Sequence, residues 1–138
     1  MNLPEDLVQH VEPRPLTGDE QQLIDQLLQE PFAGRDELRA QLAEARVIAS
    51  GKRDTRTLVF GSPPPNIPSA STDSRVPVDA VITDEDGTDI EVLLHVIDGF
   101  ARELEIYRVD GAPIIRDSLD AQVKLVNWRP VTANDDRG

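Results

Sequence analysis

Residues 89–109 read DIEVLLHVIDGFARELEIYRV, and this stretch decides the predicted fold. Apolar and polar side chains alternate on both sides of an Asp-Gly dipeptide, which is typical of a hairpin turn. A strict two-residue turn would place Leu94 opposite Glu103, whereas a loop of odd length places Leu94 opposite Leu104. Because a slip of one residue moves every side chain to the other face of the sheet, the pattern favours the odd loop.

The same alternation extends the predicted sheet to a third strand. Asp-Gly pairs recur every 12 residues, at 86/87, 98/99 and 110/111, and the segments between them are rich in Val, Ile and Leu. This spacing is typical of a β-meander with hairpin turns. The predicted central strands cover residues 76–83, 89–97 and 101–109. Their shared apolar face comprises Val78, Ala80, Ile82, Ile90, Val92, Leu94, Leu104 and Ile106.

Two short helices are predicted before the sheet. Thr17 lies three residues before Glu20, the capping-box spacing in which each side chain bonds to the backbone N–H of the other residue. Pro31 ends the first helix, and the second is expected to begin near Gly34 or Arg35. Apolar side chains recur at the helical period, as Leu23, Ile24, Leu27 and Leu28 and then as Leu38, Leu42 and Ala45. Because helices this short are unstable alone, both must lie on the sheet.

Residues 45–50 and 56–60 predict two further strands around a polar turn. The predicted fold class is therefore α+β, with two N-terminal helices packed on one face of an antiparallel β-meander of four to six strands. Near the C-terminus, residues 123–128 alternate weakly and include the single tryptophan, Trp128. This segment predicts either a last edge strand or a docking segment.

The length of 138 residues predicts a single domain over residues 1–138. Residues 61–74 contain four prolines among Ser, Thr and Asn, a composition that stays extended and solvated. We therefore predict a Pro-rich surface loop there, and a flexible polar tail over residues 133–138.

The charge of the chain is strongly negative, because 26 Asp and Glu stand against 14 Lys and Arg, for a net charge of -12. This balance argues against nucleic acid as a partner, since every phosphate contact needs a basic side chain. The absence of cysteine excludes disulfides, Cys-based zinc sites and thiol catalysis. No run reaches the roughly 18 apolar residues of a membrane span, and the first residues are acidic, unlike a signal peptide. A cytoplasmic location without membrane contact is expected.

The face of the meander opposite the apolar one is mixed, and it holds the residues that suggest a site. In the odd-loop register, His95 faces Glu103 and Glu91 faces Tyr107. A carboxylate beside an imidazole can perform acid–base catalysis, but no nucleophile motif accompanies this pair. We therefore interpret it as a structural cross-strand pair and predict no enzyme activity, no catalytic, cofactor-binding or metal-binding residue, and no cofactor. The predicted partner-binding residues are Glu91, His95, Glu103, Glu105 and Tyr107.

The chain also resembles a family of small uncharacterised bacterial proteins. The most specific elements are VLLHV at residues 92–96 and the hairpin LEIYxxDG at residues 104–111. The resemblance covers most of residues 14–116, and it implies no activity and no catalytic residues. The chain departs from this family in its Pro-rich segment and in its C-terminal extension. The resemblance therefore supports the fold and transfers no site.

Two functions of different classes are consistent with these observations. The first is a non-catalytic acidic binding protein, in particular an immunity-type inhibitor of a basic bacterial toxin, because an acidic surface attracts and occupies a cationic active site. Its predicted contact surface is an exposed acidic patch of Glu91, Glu103 and Glu105 around His95 and Tyr107. The alternative is a self-associating accessory or regulatory domain, a homodimer formed through Leu93, Ile97 and Val109.

Overall fold

A computed structural model describes residues 8–51, 56–71, 76, 79–117, 119 and 123–126. These residues form one antiparallel sheet and two short helices. The elements in chain order are β1 (Val8–Pro15), α1 (Gly18–Leu27), α2 (Arg35–Ala43), β2 (Arg46–Gly51), β3 (Leu58–Phe60), β4 (Asp79–Thr83), β5 (Asp89–Ile97), β6 (Phe100–Arg108) and β7 (Lys124–Val126).

The sheet has seven strands in the order β1-β2-β3-β6-β5-β4-β7, so the prediction of a meander of four to six strands was wrong. Strand β3 pairs with β6 rather than with β4, so β6 and β5 lie between β3 and β4 in the sheet. Local sequence patterns carry no signal for such a pairing, because it joins segments distant along the chain. The third Asp-Gly pair, at 110/111, ends β6 without beginning a hairpin.

Strand β1 is an edge strand that the sequence analysis missed. It pairs with β2, but its register shifts between His10 and Arg14. Pro13 and Pro15 lack the N–H that a regular ladder needs, so this segment lacks a strand signature. At the opposite edge, β7 pairs with β4. Trp128 and the predicted tail lie outside the described residues.

The register predicted for the central strands is confirmed except next to the β5–β6 turn, where Val96 pairs with Ala101 and not, as predicted, with Arg102. In β4 and β5, Ala80 pairs with Val92 and Ile82 with Ile90. Between β5 and β6, the predicted pairs are likewise present: Val92 with Ile106, Leu94 with Leu104, His95 with Glu103 and Glu91 with Tyr107. Val78 lies outside the described residues.

The turn between β5 and β6 differs from the predicted odd loop. Ile97 pairs with Phe100, so only Asp98 and Gly99 form the turn. Both have positive φ, 54° and 84°, as a type I′ turn requires. Arg102 then has no partner opposite it in β5, because the ladder steps from Val96–Ala101 to His95–Glu103. This β-bulge produces the register with Leu94 opposite Leu104, which the sequence analysis attributed to an odd loop.

The core lies between the helices and the apolar face of the sheet. Helix α1 begins at the predicted capping box, where Thr17 and Glu20 satisfy each other's backbone N–H groups. It ends at Leu27, before Pro31, and α2 follows from Arg35 as predicted. The buried cluster combines helix residues Leu23, Ile24, Leu27, Leu28, Leu38 and Leu42 with sheet residues Ala80, Ile82, Ile90, Val92, Leu94, Leu104 and Ile106.

The Pro-rich segment is held to the fold at its start, where the N–H of Gly61 donates to the Arg46 carbonyl at 3.0 Å, and again around Pro68 and Ala70. Its side chains before Pro68 are mostly exposed. The buried Gln41 of α2 donates from Nε2 to the carbonyls of Pro68 and Gly99, both at 2.9 Å, and accepts the N–H of Ala101 at 2.9 Å. The N–H of Ala70 donates to the Gly99 carbonyl at 2.7 Å, and Ala70 is 7% exposed. The segment therefore packs on the tip of the β5–β6 hairpin.

We predict that Gly99→Ala destabilises the protein more than Gly87→Ala. Both glycines have positive φ, 84° and 91°, so each alanine costs about 1 kcal/mol for its backbone conformation. A Cβ at Gly99 would lie 2.8 Å from the carbonyl oxygen of Ala70, whereas a Cβ at Gly87 has no such neighbour within 4 Å. Losing the Ala70–Gly99 hydrogen bond should cost about 1 kcal/mol more. Urea unfolding measures both, and equal losses would show that the Pro-rich segment does not pack there.

Candidate functional site

The sheet face turned away from the helices carries the residues predicted as a site. Because side chains alternate along a strand, the positions between the core residues of β4, β5 and β6 all point to this face. We call it the mixed face, and it contains Asp79, Glu91, His95, Glu103, Glu105 and Tyr107. The structure thus brings all five predicted partner-binding residues together on two neighbouring strands.

His95 forms its hydrogen bond with a different carboxylate from the one opposite it. Glu103 is its partner in register, but Nε2 of His95 lies 2.8 Å from Oε1 of Glu105, the diagonal neighbour. The imidazole side chain is 12% exposed and that of Glu105 is 28% exposed. A carboxylate in this position can orient the imidazole ring.

Glu103 is not available at the surface. It is 1% exposed, and it pairs in register with Val59 on one side and His95 on the other. Asp79 on β4 is also buried, at 6% exposed. The expectation of an exposed patch that includes Glu103 was therefore wrong. Alternation along a strand assigns a side chain to a face, but it does not reveal whether that face is open to solvent.

Tyr107 and Glu91 form the second pair on the mixed face. The phenol donates to Oε1 of Glu91 at 3.2 Å. Partial burial raises the pKa of Tyr107, and the negative charges of Glu91, Glu105 and Asp79 raise it further. The phenol therefore stays protonated at neutral pH and acts as a hydrogen-bond donor.

These contacts limit the chemistry of the mixed face. Its half-exposed carboxylates, Glu91 and Glu105, already accept hydrogen bonds from neighbouring side chains. Within the described part of the chain, no group of three His, Cys, Asp or Glu residues is arranged to hold a metal ion. Neither described helix has the length and apolar run needed to cross a membrane.

A second cluster of charges surrounds Arg108, at the end of β6. Its Nε and Nη2 form a bidentate pair with Asp110, at 2.9 and 2.6 Å. Its Nη1 lies 3.0 Å from Oδ2 of Asp84 and 3.0 Å from Oδ2 of Asp86. The Arg108 side chain is only 4% exposed, and these three carboxylates raise its pKa, Asp110 most strongly. We call these four residues the Arg108 cluster.

Asp84 extends this cluster to a third segment of the chain. Its carboxylate accepts the backbone N–H groups of Glu85, Ile115 and Arg116 at 2.8, 2.9 and 3.0 Å. Burial opposes its ionisation, but these N–H donors and Arg108 lower the pKa of Asp84 well below its usual value. The cluster therefore joins the β4–β5 turn, the end of β6 and the segment after it.

Sequence reasoning assigned Asp84 and Asp86 to a hairpin turn alone and did not foresee the Arg108 cluster. One signal was present: Arg108 falls opposite the core residue Ile90, at the end of the apolar face. A guanidinium at such a position needs carboxylate partners, because burying an unpaired charge is costly. Its partners lie at sequence separations that only the folded sheet brings together.

A known protein family matches the region that contains the mixed face and the Arg108 cluster. The model of DUF6984, a domain of unknown function, matches residues 13–117. The chain belongs to this family. The DUF6984 match includes the mixed face and the Arg108 cluster, and it excludes β7. No protein of curated function and no solved structure matches the chain. The predicted family resemblance is confirmed, whereas the bacterial origin and the two diagnostic motifs stay predictions.

We predict that the free energy of unfolding falls as the pH drops from about 4 to about 2. Arg108 and the N–H of Ala112 lower the pKa of Asp110 to about 2, whereas an unfolded aspartate has a pKa of about 3.9. A carboxyl group whose pKa is lower in the folded state stabilises that state at pH values above its unfolded pKa. This contribution is lost as the pH falls and Asp110 is protonated. Asp110→Asn should flatten the pH dependence in urea unfolding. The control Asp89→Asn should retain it, and an equal slope in all three proteins would contradict the prediction.

The two β6 glutamates of the mixed face, Glu103 and Glu105, should respond differently to charge reversal. Glu103→Lys places an ammonium at a position that is 1% exposed, so it should destabilise the protein by about 3 kcal/mol or more. Glu105→Lys loses one half-exposed hydrogen bond and should cost about 1 kcal/mol. Thermal and urea unfolding of both variants measure the difference. Similar stabilities would mean that Glu103 reaches solvent in solution.

Proposed function

We propose that this protein is a non-catalytic binding protein that captures a basic protein through its acidic surface. The observation that carries this proposal is an imbalance of exposed charge. Among the described residues, twelve Asp and Glu side chains are exposed, of which Asp86 and Asp110 are paired with Arg108, against three exposed Arg and Lys side chains. Such a surface attracts a cationic partner, raises the rate of association and repels anionic partners.

The helices supply the contact surface that fits this proposal best. The side chain of Gln21 donates to the Leu42 carbonyl at 2.9 Å, and that of Arg39 to the Leu28 carbonyl at 3.4 Å, so the helices lie antiparallel. Their buried residues face the sheet, and their other sides therefore face solvent. We call the exposed acidic residues of this layer the helical acidic surface: Asp19, Asp25, Glu30, Asp36 and Glu44.

The mixed face is a weaker candidate for electrostatic capture. Its carboxylates are either buried, as in Glu103, or bonded to His95 and Tyr107. Taking such a carboxylate for a partner would break an existing interaction, and that loss offsets the gain. We therefore assign first contact with a basic partner to the helical acidic surface.

An immunity-type inhibitor of a basic toxin is the specific form of this proposal. The active sites of enzymes that act on nucleic acid are rich in basic side chains, because their substrates are polyanions. An acidic protein can occupy those side chains and so compete with the substrate. The rigid sheet and the short helices would present the carboxylates without a large conformational cost.

Self-association is the second candidate, and one observation favours it. Ile97 and Val109 are 41% and 51% exposed, so a second copy could cover both apolar side chains. The third residue predicted for this contact, Leu93, is 8% exposed and offers little surface to a second copy. The edge strand β1 is interrupted by prolines, which discourages pairing of edges between copies. These features make the homodimer the weaker proposal.

The test compares charge reversal at two places. Asp25→Lys with Glu44→Lys reverses two carboxylates of the helical acidic surface near helix C-termini, where a lysine is compatible with the helix dipole. Glu85→Lys with Asp89→Lys makes the same change of charge at the β4–β5 turn. We expect the first double variant to lose capture of a basic protein from cell extract at about 0.15 M salt, at unchanged melting temperature, and the second to keep most of it.

The captured protein then provides the decisive outcome. Mass spectrometry should identify a basic protein, and the unmodified chain should inhibit it in a direct assay, whereas the helix variant should not. Binding of polylysine to the same variants is the control for capture by charge alone. Equal losses in both double variants would contradict a defined surface, and a captured protein that is acidic would contradict the function.

A further inference from the structure

A pocket of about 350 Å³ opens between the first turn of α1 and the end of the sheet where β3 pairs with β6. Its floor is apolar and contains Leu23 of α1, Leu58 of β3, and Leu104 and Ile106 of β6. None of these four side chains is more than 6% exposed, so the pocket extends to the hydrophobic core. Its volume lies at the lower end of the range of small-molecule sites, about 300–1,000 Å³.

The rim of this pocket is polar, and its described residues carry more negative than positive charge. Asp19 and Asp117 are exposed carboxylates on it. The guanidinium of Arg56 also lies on the rim, but it donates to the carbonyls of Arg116 and Asp117, at 2.8 and 3.1 Å. Its bonds are therefore directed into the wall of the pocket.

The remaining charge at the rim is already neutralised. Glu20 forms a bidentate pair with Arg14, at 2.9 and 3.0 Å, and also accepts the N–H of Thr17 at 2.8 Å. The dipole of α1 alone would favour an anion at this end. However, the first turn of α1 also carries the exposed carboxylate of Asp19, which opposes a bound anion.

We propose that this pocket binds a small organic cation, such as a primary alkylammonium ion. Its hydrocarbon body would lie on the apolar floor, and its charged head would lie at the rim near Asp19 and Asp117. The net charge of -12 would raise the local concentration of such a cation and lower that of an anion. The rim shares Asp19 with the helical acidic surface, but it excludes Asp25 and Glu44, the residues reversed to test the proposed function, so this inference does not rest on that function.

Three probes that differ in one property each test the proposal by ¹H–¹⁵N NMR. Hexylammonium has an apolar body and a positive head, hexanoate has a similar body and a negative head, and methylammonium lacks the body. We expect saturable shifts at the amides of Gly51, Leu58 and Ile106 with hexylammonium, with a dissociation constant of about 1 mM. Hexanoate should bind about tenfold more weakly, and methylammonium should give no saturable shift.

Variants of the rim and of the interior locate the binding. Asp19→Asn and Asp117→Asn should each weaken hexylammonium binding about twofold to fivefold, as expected for exposed charge pairs. Asp25→Asn and Asp89→Asn are matched controls outside the pocket and should leave the dissociation constant of hexylammonium unchanged. Ser50→Phe should fill the pocket and abolish the shifts, whereas Ser62→Phe, outside the pocket, should not.

The proposal fails if hexanoate binds as tightly as hexylammonium, or if no probe gives saturable shifts at the pocket. It also fails if the control variants weaken binding as much as the rim variants, because the cation would then bind the acidic surface in general. Should Ser50→Phe not fold, the comparison of Asp19→Asn and Asp117→Asn with their controls decides the question. Loss of protein capture by the helix variant, with hexylammonium binding intact, would separate this site from the proposed function.

Discussion

The pairing of Leu94 with Leu104 in the β5–β6 hairpin is the constraint on which the rest of the structure depends. It places one apolar side of the two longest strands beneath the helices and leaves the glutamates of β6 on the other side. A two-residue turn alone would have given the opposite arrangement, and the bulge at Arg102 prevents it. Burial of this apolar face then stabilises helices that are too short to be stable alone.

Polar contacts at the two ends of that hairpin fix how the remaining segments attach. At the turn, the buried amide of Gln41 joins α2, the hairpin and the end of the Pro-rich segment. At the other end, Arg108 holds Asp84 and Asp110, and so holds the neighbouring turn and the chain after β6. Gln41, Asp84 and Arg108 are buried and hydrogen-bonded, which makes the arrangement specific as well as stable. The hydrophobic core alone would not define where these connections lie.

The same contacts divide the acidic residues into two classes. Asp84, Asp110, Glu91 and Glu105 accept hydrogen bonds within the fold, and their charge serves its internal structure. The exposed carboxylates of the helical acidic surface project away from the sheet and determine how the protein meets a charged partner. A net charge read from composition cannot distinguish these classes, although only the second contributes strongly to recognition.

The sequence by itself determined the capping box of α1, the start of α2 and the pairing of the three central strands. Each of these features depends on residues of one helical turn or on strands that follow one another in the chain. The tertiary structure alone decided that β3 pairs with β6, that β1 is an edge strand and that the sheet has seven strands. It also decided that Glu103 is buried, that His95 bonds to Glu105, and that Arg108 has three carboxylate partners. These features depend on segments that are distant in sequence. Local periodicity predicts the face of the sheet on which a side chain lies, but it does not predict which other segments cover that face.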